Sequence, residues 1–158
     1  MDLVQLVSKK LMKFTKKKIE RYARQIILKK IGVIGQKKLL KSSVLIVGAG
    51  GLGSPVAIYL TALGIGKIGI VDNDKVEISN LSRQIIFSTK DLKKEKSSVA
   101  IYKLKKMNPD LQFKSFQKRL TIKNINQIAK DFSFIVDGSD NFRTRFLIND
   151  YCLKTKKI

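Results

Sequence analysis

The segment Val44-Leu45-Ile46-Val47-Gly48-Ala49-Gly50-Gly51-Leu52-Gly53 joins a short apolar run to a cluster of glycines. Four aliphatic residues pass directly into a G-x-G-x-x-G pattern at Gly48, Gly50 and Gly53. A helical pattern follows from Ser54 to Leu63, and a second apolar run, Ile68 to Val71, ends on Asp72. This order predicts a strand, a tight turn, a helix and a second strand with an acid at its tip. Its chemistry suits a nucleotide. Gly48 permits the turn, Gly50 lets the backbone approach a phosphate, and Gly53 permits close helix–strand packing. The N–H groups at the start of the helix attract anions. A carboxylate at the position of Asp72 accepts from ribose hydroxyls.

Outward from this unit the pattern repeats. On the N-terminal side, residues 1–20 are Lys-rich, with clusters at Lys9–Lys10 and Lys16–Lys18, and are read as a basic extension in which Met12 is an alternative start. Helical spacing runs from Glu20 to Lys30, and after Gly32 and Gly35 a short helix reaches Lys41. On the C-terminal side, Asn73 to Arg83 is a polar loop and Lys93 to Met107 a helix stopped by Asn108-Pro109. Leu111 to Phe116 alternates as a third strand, and Thr121 is expected to cap a helix to about Lys130. Phe134 to Asp137 is a fourth strand, and Asn141 to Lys154 a last helix. Repeated strand–helix units imply an α/β fold: a Rossmann-like, doubly wound, mainly parallel sheet with helices on both faces, preceded by N-terminal helices. Residues 21–158 form a single nucleotide-binding domain in this reading. After the last helix a returning strand is missing, so the chain is expected to be truncated relative to a complete domain and to expose an unpaired sheet edge.

Composition narrows the function. The chain has 158 residues, 44% hydrophobic and 28% charged, which suits one soluble domain. No apolar run is long enough to span a membrane, and the opening residues lack the apolar core of a signal peptide. The single Cys152 forms no internal disulfide, which fits a reducing, cytoplasmic setting. With no histidine it also supplies no standard zinc set. Cys152, on the last helix, is read as a small core residue rather than a nucleophile. The formal charge is +21, from 33 Lys and Arg against 12 Asp and Glu. The excess is mostly Lys spread along the chain, a pattern that AT-rich coding produces; no aromatic–basic stripe points to nucleic acid. An acidic protein is the partner class that the charge suits.

Ligands of such sheets bind beyond the carboxyl ends of the strands. Three loops are expected there. They carry Gly48 to Gly53; then Asp72, Asp74, Ser79, Asn80 and Arg83; then Asp137, Asp140 and Asn141. Acids and bases around a phosphate cradle suggest a triphosphate with Mg²⁺, which prefers one or two carboxylates plus phosphate oxygens. Arg83 would clamp phosphate through its fork of donors, and Lys96, early on the next helix, would reach the same group.

These residues in order, with Arg21-Tyr-Ala-Arg24-Gln25 before them and Ser79-Asn-Leu-Ser-Arg-Gln84 as the most specific part, resemble the ThiF/MoeB/HesA family, relatives of the ubiquitin-activating enzymes. The resemblance runs from about Glu20 to the last residue. It implies ATP- and Mg²⁺-dependent adenylation of the C-terminal glycine carboxylate of a small ubiquitin-like sulfur carrier, in molybdopterin or thiamin biosynthesis. The implied roles are specific. Gly48, Gly50, Gly51 and Gly53 approach ATP, and Asp72 holds the ribose. Ser79, Asn80, Leu81, Ser82 and Arg83 line the nucleotide pocket. Arg83 and Lys96 bind phosphates, Asp140 places Mg²⁺ with Asn141 beside it, and Arg24 acts across a homodimer interface. Family members continue past this length and carry Cys-x-x-Cys zinc ligands that this chain lacks. The rival readings are an NAD(P)- or FAD-binding oxidoreductase domain and a non-catalytic, truncated module that docks a carrier.

Overall fold

The computed structural model describes residues 14–158, so the Lys9–Lys10 cluster and Met12 lie outside the described residues. The elements in order are α1 (Lys16–Ile26), α2 (Gly32–Lys41), β1 (Ser43–Val47), α3 (Gly53–Leu63), β2 (Lys67–Val71), α4 (Lys96–Met107), β3 (Gln112–Phe116), α5 (Ile125–Ala129), β4 (Phe134–Asp137) and α6 (Phe142–Thr155). The four strands form one sheet in the order β3-β2-β1-β4, every neighbouring pair parallel. The α/β expectation therefore holds.

β1 and β2 are unbroken apolar runs because both faces of the sheet are covered. Side chains alternate between the faces. Val44, Ile46, Ile68 and Ile70 pack with Ala57 of α3 and with Val99, Ala100 and Leu104 of α4. Leu45, Val47 and Val71 pack on the opposite side with Ile125, Ile128 and Ala129 of α5 and with Ile148 and Tyr151 of α6. The chain thus winds outward from β1 to β3 over one face, then crosses to β4 on the other side of β1 over the second. The crevice lies where the winding reverses, between the carboxyl ends of β1 and β4.

Several boundaries differ from the expectation, each for a local reason. α1 begins at Lys16 because the Thr15 hydroxyl accepts the Lys18 N–H at 3.3 Å, so a domain boundary at residue 20 falls inside this helix. Tyr22 ties α1 down: it is buried, and its hydroxyl accepts from Asn108 Nδ2 at 3.0 Å. α4 begins three residues later than Lys93. The chain at Lys93–Lys94 first exchanges backbone bonds with Val76 (2.9 and 2.8 Å), and Lys93 holds a positive φ of 66°. Thr121 is not a helix cap. Its own N–H donates to Asn124 Oδ1 (2.8 Å), making a turn that delays α5 to Ile125. The polar loop after β2 contains a short 3₁₀ turn, Ile78–Asn80.

Cys152 is half-buried against the second apolar cluster, and burial pushes its thiol up, opposed by the charge of Lys157. β4 is an outer strand with Phe134 38% exposed, and the Ile135 N–H donates to the Ile158 carbonyl at 2.7 Å. Phe142, Phe146 and Leu153 of α6 are exposed beside it. Among the described residues, no helix is long and apolar enough to cross a membrane.

Candidate functional site

A cleft of about 480 Å³ opens at the carboxyl ends of the strands. Its floor is the loop after β1. Gly48 has a φ of +89°, a left-handed conformation open to glycine at little cost, and a Cβ there would meet the Gly138 carbonyl at 2.9 Å. Gly53 has less room still: its Cβ would stand 1.8 Å from the Gly48 oxygen. The first contact presses the loops after β1 and β4 together at the reversal point, and the second tightens the β1 loop on itself. The Ser54 hydroxyl donates to the Ala49 carbonyl (2.9 Å), closing the turn from beneath. The N–H groups of Gly51, Leu52 and Gly53 have no backbone acceptor among the described residues. Free N–H groups at a helix start are what a phosphate requires.

Asp72 closes one wall. Its Oδ2 accepts the Ala49 N–H at 2.7 Å and its Oδ1 the Asp74 N–H at 2.7 Å. Burial pushes its carboxyl above the ordinary 3.8; the two N–H bonds and the nearby Lys96 charge oppose the shift. The carboxylate is therefore held rigidly at the end of β2. Lys96 is a buried lysine, 6% exposed, on the same wall, and its Nζ lies 3.4 Å from Asp74 Oδ2. The Lys96 N–H also donates to the Asp74 carbonyl at 2.9 Å, which fixes the start of α4 against the loop after β2.

Gly48, Gly50, Gly51, Asp72, Arg83, Lys96, Asp140 and Asn141 all line this one cleft. Gly53 lies beneath it. Ser79, Asn80, Leu81 and Ser82 lie off its wall in this structure. They form the turn behind it. The Ser79 carbonyl accepts from Arg83 Nη1 (3.0 Å), and the buried Asn80 accepts the Arg83 and Gln84 N–H groups on its carbonyl at 3.2 and 2.9 Å. Leu81 packs on the first apolar cluster. These four residues aim Arg83 and Gln84. Arg24 is exposed on α1 and is not part of the cleft wall of its own chain.

The loop after β4 closes the cleft on its far side. Asp137 Oδ1 accepts the Ser139 N–H (2.9 Å) and hydroxyl (2.6 Å). Asn141 caps α6 by accepting the Thr144 N–H at 3.0 Å, so Asp140 is not the cap and its exposed carboxylate makes no hydrogen bond among the described residues. One free carboxylate facing a phosphate cradle fits Mg²⁺, which completes its shell with phosphate oxygens and water. Among the described residues there is no cluster of three or more acids, cysteines and histidines. Zinc does not fit.

Sequence reasoning missed Lys118 and Arg119. The loop after β3 brings both to the rim of the cleft. Asn124 Nδ2 holds that loop by donating to the Arg119 carbonyl at 2.9 Å. Arg145, which donates to the Ser139 carbonyl at 3.1 Å, and Gln84 also line it. A run such as Lys118-Arg119 carries no local signal, because the sheet order alone makes it a neighbour of the glycine loop.

Comparison with known proteins agrees with this geometry. The ThiF family profile matches residues 22–158. A protein named sulfur carrier protein adenylyltransferase, from Thermus thermophilus, is 45% identical over 139 residues, 88% of this chain and 51% of the relative. The sulfur carrier protein ThiS adenylyltransferase of Escherichia coli is 44% identical over 84% of this chain and 53% of its own length. A probable molybdopterin-synthase adenylyltransferase from Porphyra purpurea is 48% identical over 87% of this chain and 36% of its own. The chain thus spans about half or less of the length of the curated relatives it matches. Among solved structures, E. coli MccB with ATP superposes with a TM-score of 0.71 at 30% identity, over 77% of this chain and 36% of that one. TcdA (CsdL) gives a TM-score of 0.85 at 25% identity, over 90% of this chain and 56% of that one.

Proposed function

Because the chain belongs to the ThiF family, we propose that its cleft binds ATP with Mg²⁺ and adenylates the C-terminal glycine carboxylate of a small ubiquitin-like sulfur carrier. The observation that supports this most is the convergence on one cleft of the Gly51 and Leu52 N–H groups, which have no acceptor among the described residues, the Arg83 guanidinium, the buried Lys96 and the exposed Asp140 carboxylate. Such a set neutralises a triphosphate; a dinucleotide cofactor does not require it.

The reaction joins a carboxylate oxygen to the α-phosphorus and breaks the bond from that phosphorus to the bridging oxygen, releasing pyrophosphate. Both reactants are anions, so positioning and charge neutralisation do most of the work. The attacking carboxylate is already ionised at neutral pH, so a chain with no histidine lacks nothing that this step needs. Asp72 orients the ribose. Arg83 and Lys96 hold the phosphates and balance charge on the departing pyrophosphate. Asp140 would hold Mg²⁺, which when bound would supply Lewis-acid polarisation of phosphate oxygens. Arg24 lies away from the cleft of its own chain, which suits action on the triphosphate of the other subunit of a homodimer. The excess of 33 basic over 12 acidic residues suits an acidic carrier, and the lone cysteine suits a cytoplasmic setting.

Exchange of labelled pyrophosphate into ATP, with carrier present, tests the reading. The expected result is exchange that Asp140→Ala abolishes. Exchange retained by that variant removes the metal role, and NAD⁺ binding without ATP binding removes the adenylation reading in favour of an oxidoreductase domain. Carrier binding without exchange would identify a docking module. In the same assay Arg24→Ala and Arg83→Ala chains, each inactive alone, recover activity on mixing; absence of recovery in confirmed mixed dimers refutes action in trans.

A further inference from the structure

Gln84 is 4% exposed, yet its carboxamide makes no hydrogen bond among the described residues, and its Oε1 is sealed from solvent without a partner. Its main chain is fully engaged. The N–H donates to the Asn80 carbonyl at 2.9 Å, and the carbonyl accepts from Phe87 at 3.0 Å. The backbone therefore holds this side chain in the cleft wall, where Nε2 lies 3.8 Å from the point that a Cβ on Gly50 would occupy.

Buried amides are nearly always bonded. Leaving one unbonded is costly, and an apolar side chain of similar size avoids that cost. The other amides buried this deeply follow the rule at their donor ends: Gln36 Nε2 donates to the Leu63 carbonyl at 2.9 Å, and Asn108 Nδ2 donates to Tyr22 and to the Thr61 carbonyl at 3.0 and 3.2 Å. Both serve to join helices. Among the described residues the Gln84 side chain bonds nothing, and it faces the site instead. Beside it stand the Gly50–Gly51 turn, whose Gly51 N–H has no backbone acceptor among the described residues, and the stem of Arg83, whose Cδ would lie 3.6 Å from a Cβ on Gly51. A carboxamide offers a donor or an acceptor by a half-turn, and an anion selects the donor.

We propose that Gln84 is a phosphate-contacting residue of this cleft, its side-chain amide donating to an oxygen of the nucleotide's phosphate chain above the Gly50–Gly51 turn. The assignment rests on the reading that the cleft takes ATP. It gives the site a neutral donor beside its cations, one that fixes the direction of a phosphate oxygen without adding charge.

The test is calorimetric titration of the full chain and of Gln84→Leu and Gln84→Glu with MgATP and, separately, with adenosine, each protein's fold checked by thermal melting. Gln84→Leu is expected to weaken ATP about tenfold and leave adenosine unchanged, the loss of roughly one hydrogen bond to a charged group. Gln84→Glu is expected to weaken ATP further, by repulsion, again sparing adenosine. Equal losses for ATP and adenosine would overturn the assignment and make Gln84 a packing residue. Unchanged ATP binding by Gln84→Leu, with a wild type that binds ATP, overturns it and leaves the ATP reading intact. A folded wild type that binds neither ligand removes the ATP reading and this assignment with it. If the Leu and Glu variants melt early, Gln84→Asn, the same amide one methylene shorter, gives the comparison: weaker ATP with unchanged adenosine supports the contact, and equal change in both refutes it.

Discussion

The loops after β1 and β4 meet at the same cleft but are built in opposite ways. The first is fixed from a distance and from below. Ala49 is held by Asp72, 23 residues on, Ser54 bonds back beneath the turn, and Gly53 has no space for a side chain. Beyond Gly138, whose N–H donates to the Val47 carbonyl at 2.8 Å, the second is fixed by its own neighbours, in the open: Ser139 on Asp137, Arg145 on Ser139 and Thr144 on Asn141, each an exposed contact within six residues. Hydrogen bonds in solvent contribute less and break more readily than buried ones. The glycine loop is thus a preformed mould for phosphate, whereas the Asp140 loop adjusts to what is bound. An in-line transfer uses both, a fixed phosphate chain and a carboxylate ligand that follows the metal.

Breaking the rigid side has the largest effect. Gly53→Ala places a methyl group 1.8 Å from the Gly48 carbonyl oxygen, a backbone atom that cannot step aside. The expected cost reaches the exceptional range above ~4 kcal/mol, enough to unfold a domain of marginal stability. Urea unfolding monitored by circular dichroism measures it. A variant that stays within about 1 kcal/mol of wild type shows that the turn relaxes and that the two loops are not so different.

Asp72 sharpens the same contrast. Asp72→Asn keeps one acceptor for two N–H groups and leaves the other donor facing an amide, a loss of about 1–3 kcal/mol. The pH dependence carries more information. Burial raises the carboxyl above 3.8 in the folded chain. A raised pKa means that the folded state binds the proton more tightly than the unfolded one, so this stabilising effect is complete below 3.8 and fades as pH rises through the folded value. Wild type should therefore gain stability relative to Asp72→Asn as pH falls from 7 towards 4. A gap between the two that stays constant across this range removes the buried-carboxylate account. Asp91 provides the contrast within the molecule: burial raises it too, but hydrogen bonds from Lys103 and Ser88 outweigh that and hold it below 3.8. Its stabilising effect is present above 3.8 and is lost as pH falls through its lowered value.

How much of the fold and the site is legible in the sequence depends on whether the signal is local. The glycines of the first loop, the aliphatic runs of β1 and β2 and the terminal Asp72 lie within one strand–turn–helix–strand unit, so spacing alone locates them. The short apolar run from Phe134 to Val136 ending on Asp137 likewise marks β4 at its observed bounds, Phe134–Asp137. Capping is less legible. Thr121 and Asp140 have capping chemistry, yet Asn124 and Asn141 occupy the positions whose backbone geometry opens each helix. The basic rim of Lys118 and Arg119 and the unbonded amide of Gln84 are not legible as site features. Their meaning comes from the sheet order β3-β2-β1-β4 and from burial, which residue type does not encode.

The adjustable side gives the smallest effect and the most direct test of adjustability. Asn141→Ala removes the cap that accepts the Thr144 N–H at 3.0 Å, at a cost of about 1 kcal/mol. Because α6 also packs Ile148 and Tyr151 into the core, the helix should persist and only its first turn should fray. Asp140 stands next to that turn. Hydrogen exchange should therefore report faster opening at residues 142–145, with the amides of the glycine loop unchanged. MgATP, if it is held through Asp140, should restore much of the lost protection, since a ligand that binds only the ordered loop stabilises it by mass action. Faster exchange that spreads to residues 48–53 would show instead that the two loops open together, and the division between a rigid mould and a following carboxylate would fail.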